Sequence, residues 1–77
     1  MEWITKDNKL IKEFLFRDFS EAFAFLTRVA IAAEKQNHHP EIYNVYNKVI
    51  ISLQTHDAGN TVTEKDHKLA QTIDAFA

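Results

Sequence analysis

Three of the four histidines in this 77-residue chain fall in two short clusters: His38-His39, followed at once by the only proline, Pro40, and His56, preceded by Thr55. Imidazole is the side chain whose unperturbed pKa lies near physiological pH, so three of them together supply proton donors and acceptors without extreme tuning. General acid–base chemistry is the expectation. His38 falls at the end of an expected helix, where the partial negative charge of the last carbonyls suits a proton donor. Glu34, one turn earlier, is spaced to accept a hydrogen bond from His38 and hold its orientation. Gly59, the only glycine, follows His56 closely and allows either a sharp turn beside the site or close approach of a ligand to the backbone. A zinc site is not expected. Catalytic zinc draws on His-x-x-x-His or on cysteine and carboxylate sets, whereas adjacent His38 and His39 point in different directions. His67 is expected on an exposed first helical turn, without a role.

The elements that must carry these residues are legible from turn and periodicity signals. Trp3-Ile4-Thr5 and Leu10 to Phe16 are rich in aromatic and branched residues, and Lys6-Asp7-Asn8-Lys9 between them predicts a hairpin with an Asp-Asn turn. Asp18 with Glu21 three residues on fits a helix-capping box, and Phe19, Phe23, Leu26, Ala30 and Ala33 recur at helical spacing as a buried stripe. The helix should stop near His38, because Pro40 disfavours helical geometry at His39. Glu41 to His56 is too long for one strand and predicts a second hairpin. With Asn47-Lys48 as its turn, Ile42 faces Leu53, Tyr46 faces Val49, and His39 meets His56 at a Cβ spacing of about 5 Å. Thr63 with Asp66 caps a last helix whose buried stripe is Leu69, Ile73 and Phe76.

Composition narrows the function class. Seventy-seven residues with no cysteine and a net charge of −2 describe one small domain, residues 1–77, lacking both disulfides and a basic face for nucleic acid. A single core of this size is marginal, so self-association as a homodimer or homotetramer is expected. Phe14-Leu15-Phe16 and Val49-Ile50-Ile51 are apolar on both strand faces, which fits either core packing or an oligomer interface. No apolar run of membrane-spanning length is present, and a cytoplasmic location is expected.

The order Glu34, His38-His39-Pro40, Tyr46, His56, Asp66, with Arg28-Val29-Ala30, Ala33-Glu34-Lys35, Asn44 to Val49 and Thr55-His56 as context, resembles the signature of the pterin-4a-carbinolamine dehydratase family. The resemblance spans Leu10 to Ile73. It implies an α+β fold in the order β-β-α-β-β-α, with a four-stranded antiparallel sheet and helices packed on one face. It implies elimination of water from 4a-hydroxytetrahydropterin to give quinonoid dihydropterin, recycling the cofactor of aromatic amino acid hydroxylases without a metal or cofactor. Carried over residue by residue, it makes His38, His39 and His56 the catalytic set. Asn37, His39, Pro40, Gln54, Thr55 and Asp57 would contact substrate, with Glu34 and Asp66 in support; Asp66 could equally be only a helix cap. Two positions depart from the family pattern. The helix of some twenty residues that commonly precedes the first strand is absent, and Ile42 stands where a tryptophan is common. A non-catalytic dimerisation or interaction module of the same fold is the alternative function.

Overall fold

The computed structural model describes residues 2–77. Its elements run β1 (Ile4–Lys6), β2 (Lys9–Leu15), α1 (Phe19–Gln36), β3 (Glu41–Val45), β4 (Lys48–Leu53), a short 3-10 turn (His56–Ala58) and α2 (Glu64–Asp74). The four strands form one antiparallel sheet in the order β1-β2-β4-β3, an α+β architecture. No helix precedes β1 among the described residues, and none of those residues form a helix long and apolar enough to cross a membrane.

Alternation along the strands decides which face is covered. Leu10 and Phe14 of β2 and Val49, Ile51 and Leu53 of β4 are buried against Ala22, Phe25, Leu26, Val29 and Ala33 of α1 and Leu69, Ala70 and Ile73 of α2. Both helices therefore pack on one face. The intervening residues Ile4, Leu15, Tyr43 and Val45 remain exposed. Trp3 fastens the first strand to the far end of the chain. Its indole Nε1–H donates to both Asp74 carboxylate oxygens at 3.0 Å, its ring meets Phe14 edge-on at 5.9 Å, and Lys12 Nζ pairs with Asp74 at 2.9 Å.

The first hairpin turns at Asp7-Asn8, with φ of 53° and 62°, the left-handed pair that matches strand twist and that Asp and Asn tolerate. The second hairpin departs from the expected register. Its loop residues are Tyr46-Asn47, so Val45 pairs with Lys48 and Ile42 with Ile51. This shift of two keeps Ile42 on its expected face with a new partner, though exposed, and moves Tyr46, expected to face Val49 under the helices, into the turn, where it is exposed. Side-chain bonds from Asn47 explain the choice: its Nδ2 donates to the Phe16 carbonyl at 3.0 Å while its own carbonyl accepts from the Phe16 N–H at 2.9 Å. Tyr46 takes the positive φ, 49°, instead. His39 precedes β3 and His56 follows β4, so the expected cross-strand histidine pair does not form.

The buried stripe of α1 also differs from the one expected. Leu26 and Ala33 are buried as anticipated, but Phe19, Phe23 and Ala30 face solvent, and Ala22, Phe25, Val29 and Ala32 fill the core instead. The helix carries two apolar stripes of the same period, and periodicity alone cannot rank them. Aromatic packing does so here, with Phe25 lying 4.9 Å from Phe14 and 4.8 Å from Phe16 between ring centroids. In α2 the expected Leu69 and Ile73 are buried, while Phe76 lies just past the helix end and is half-buried.

Candidate functional site

The end of α1 delivers the first histidine cluster. Asn37 adopts φ 51°, the His38 N–H donates to the Ala33 carbonyl at 3.0 Å, and the Asn37 N–H donates to that of Glu34 at 3.1 Å. This is the Schellman arrangement, for which Asn is a natural left-handed residue. It turns the chain out of the helix at His38, which is thus just past α1 rather than in its last turn.

His38 is buried, and its Nε2 lies 2.5 Å from Asp66 Oδ1. Asp66 is fully buried, as the third residue of α2. Its other oxygen accepts from the Thr63 backbone N–H at 2.8 Å and from the Thr55 hydroxyl at 2.9 Å. Thr63 Oγ1 lies 2.6 Å from Thr55 Oγ1 and accepts from the Lys65 N–H at 3.3 Å. An ionised carboxylate only accepts, so the directions resolve: Thr63 donates to Thr55, Thr55 donates to Asp66, and His38 donates through Nε2–H. In the neutral imidazole, His38 Nδ1 is then the nitrogen with a free lone pair. Asp66 is at once the cap of α2 and the partner of a histidine, the two roles left open by the sequence. Among the described residues no buried side-chain nitrogen or oxygen lacks a hydrogen-bond partner, which is what an enclosed polar network requires.

Glu34 does not hold His38 as expected. Its Oε1 lies 2.8 Å from His39 Nε2, both side chains being exposed. His38 leaves the helix axis beyond the Schellman turn, so the i,i+4 geometry that would have joined it to Glu34 is lost.

His56 directly follows Thr55, the threonine of this network that donates to Asp66. Thr55 is buried at its side, and a bridge between Thr55 and Thr61 closes the loop that carries it. Gly59 turns that loop with φ 83°, and a side chain there would meet no protein atom within 4 Å; the turn, not close packing, is what requires glycine. His56 is exposed, with Nδ1 2.7 Å from Asn60 Oδ1. Gln54 Nε2 donates to the carbonyls of Asn8 and Asn60 at 3.4 and 3.3 Å. Pro40 is half-buried, Asn37 and Asp57 are exposed, and His67 is exposed on α2. Asp66 and Thr55 thus tie together the chain segments bearing His38 and His56, while His39 and Glu34 form a separate exposed pair. Asn60 and Thr63 join the site without having been singled out as its residues. An Asn after glycine, four residues from a histidine in a turn, is the signal for the first. A cleft of about 340 Å³ between α1 and α2, lined by Arg28, Ile31, Lys35, Gln36, Thr72 and Phe76 among others, contains none of the histidines. No group of three or more metal-ligating side chains is found among the described residues.

A family model described as pterin 4 alpha carbinolamine dehydratase matches residues 1–76. A protein of Solibacter usitatus is 51% identical over 75 residues, covering 97% of this chain and 78% of its own length. One of Sinorhizobium fredii is 52% identical over 77 residues, covering 97% of this chain and 72% of its own. Both are provisionally named pterin-4-alpha-carbinolamine dehydratases. The crystal structure of a transcriptional coactivator/pterin dehydratase from Brucella melitensis superposes with a TM-score of 0.91 at 44% identity, covering 97% of this chain and 81% of that one. A pterin dehydratase-like protein identified as a RuBisCO assembly factor in the alpha-carboxysome superposes with a TM-score of 0.85 at 26% identity, covering all of this chain and 90% of that one.

Proposed function

The chain belongs to the pterin 4 alpha carbinolamine dehydratase family, and from that premise we propose that it eliminates water from 4a-hydroxytetrahydropterin to give quinonoid dihydropterin. The observation that carries this reading is the buried Asp66 carboxylate, which holds His38 through one oxygen and Thr55, the neighbour of His56, through the other. Two imidazoles on segments tied to one anchor suit a reaction with two proton transfers. One proton goes to the departing 4a-hydroxyl, which leaves as water, and one is taken from ring nitrogen N5, whose electron pair forms the new C=N bond. His38 and His56 perform these transfers, and His39, oriented by Glu34, positions the pterin together with Asn37, Pro40, Gln54 and Asp57. Thr55 acts through Asp66 rather than on substrate, because its hydroxyl is engaged in the buried network.

The same reading makes residues 1–77 one domain that recycles the pterin of an aromatic amino acid hydroxylase in the cytoplasm and works as a homodimer or homotetramer. The exposed strip Phe19, Phe23 and Ile31 on α1 is the surface that supports self-association. That strip, with the likeness to an assembly factor, also favours a second reading, a non-catalytic interaction module.

Dehydration of 4a-hydroxytetrahydropterin followed by ultraviolet absorbance separates the two. Wild type should accelerate it, and His38→Ala and His56→Ala should each lose about two orders of magnitude or more. A folded wild type without acceleration would move the function to binding.

A further inference from the structure

His56 has a hydrogen-bond partner that the acid–base reading does not employ. Its Nδ1 lies 2.7 Å from Asn60 Oδ1, and an amide oxygen can only accept, so the proton of a neutral imidazole must sit on Nδ1. We propose that Asn60 is a positioning residue for His56. Its amide oxygen holds the ring in the tautomer that leaves Nε2 as the nitrogen exchanging a proton with substrate. The catalytic part of this inference rests on the dehydratase reading above; the hold on the ring does not.

The loop is built to present that oxygen. Gly59 and Asn60 are consecutive left-handed residues, φ 83° and 59°, and they curl the chain so that the Asn60 N–H donates back to the Thr55 carbonyl at 3.1 Å. The Asn60 carbonyl is braced by Gln54 Nε2 at 3.3 Å, and the Thr55–Thr61 bridge closes the loop behind it. His38 and His39 lean on the carboxylates of Asp66 and Glu34, whereas His56 leans on a neutral amide. Second partners of this kind fix which nitrogen of a functional histidine is free; at metal-bound histidines their loss typically costs about 10- to 100-fold, and the same scale is expected of Asn60.

Left-handed geometry alone would also select Asn at this position, and Asn60→Gly separates the two explanations. Glycine keeps the backbone conformation and both backbone hydrogen bonds and deletes only the amide. Asn60→Asp keeps an accepting oxygen and serves as the conservative rescue. The His56 ring protons should be assigned by long-range nitrogen–proton NMR correlation, beside steady-state dehydration kinetics. In wild type and Asn60→Asp the neutral ring should carry its proton on Nδ1. In Asn60→Gly it should lose that preference, with kcat down roughly 10- to 100-fold and KM little changed. A wild-type ring protonated on Nε2, or an Asn60→Gly protein with wild-type tautomer and kcat, would overturn the proposal. If wild type proves inactive, the dehydratase reading fails and the catalytic half of this inference with it, while the tautomer still decides whether Asn60 sets the ring.

Discussion

Removing the Asp66 carboxylate should damage fold and function by amounts that two substitutions separate. Asp66→Ala takes the acceptor from three donors at once: His38 Nε2–H, the Thr55 hydroxyl and the Thr63 backbone N–H. The site is enclosed, so water cannot freely replace the lost oxygens, and each orphaned donor costs about 1–3 kcal/mol. Such losses are not additive, so the three together should cost about 3–5 kcal/mol, below the sum of their upper limits. A 77-residue domain has about 4–12 kcal/mol in all, so Asp66→Ala should leave the protein marginally folded. Asp66→Asn is milder. Its amide oxygen can take the place of Oδ2 and satisfy Thr55 and Thr63, at a cost of about 1–2 kcal/mol for weaker acceptance. Its NH₂ group then faces His38 Nε2, which must become an acceptor and surrender its proton to Nδ1. The folded Asn variant should therefore lose about two orders of magnitude in dehydration rate while keeping most of its stability. Urea unfolding monitored by Trp3 fluorescence, at several protein concentrations to separate association from folding, gives the stability arm. An Asp66→Ala cost below about 1 kcal/mol would show that the network is not what holds α2 to the sheet, and full activity in Asp66→Asn would refute the assigned direction of the His38 bond.

Three further substitutions test the packing and the second turn. Phe25→Ala should cost about 3–5 kcal/mol by opening the aromatic cluster with Phe14 and Phe16, whereas Phe23→Ser, on the exposed strip, should change monomer stability by no more than about 0.5 kcal/mol. Sedimentation of Phe23→Ser should shift toward monomer; unchanged assembly would place the interface elsewhere. Tyr46→Gly should stabilise by about 0.5–1 kcal/mol, because relief of a left-handed non-glycine residue, φ 49°, exceeds the entropic penalty of glycine. A lower melting temperature would mean that the Tyr46 side chain makes contacts that outweigh its backbone strain.

Local chemistry made much of this protein legible from its residues alone. Asp7-Asn8 specifies a left-handed hairpin turn, Asp18 and Thr63 start helices with their own side chains, Pro40 stops one, and His38, His39 and His56 stand out as titratable groups in an otherwise scaffold-like chain. Each of these signals acts within a few residues, so no knowledge of the fold is needed to read it. What remained open was every choice between local options of similar energy. Two apolar stripes of α1 have the same period, and only the Phe14–Phe16 rings on the sheet select Phe25 over Phe23. Two registers of the second hairpin keep Ile42 on the same face and differ in whether Tyr46 or Lys48 enters the turn, and only the contact of Asn47 with Phe16, at the end of the neighbouring strand, selects between them. Glu34 and Asp66 are both placed to serve a histidine, yet Glu34 takes His39, while Asp66, 28 residues away in the chain, takes His38. Sequence periodicity is blind to such pairings because they are decided by which surfaces meet, and the buried carboxylate that ties His38 to Thr55 exists only once α2 has docked on the sheet.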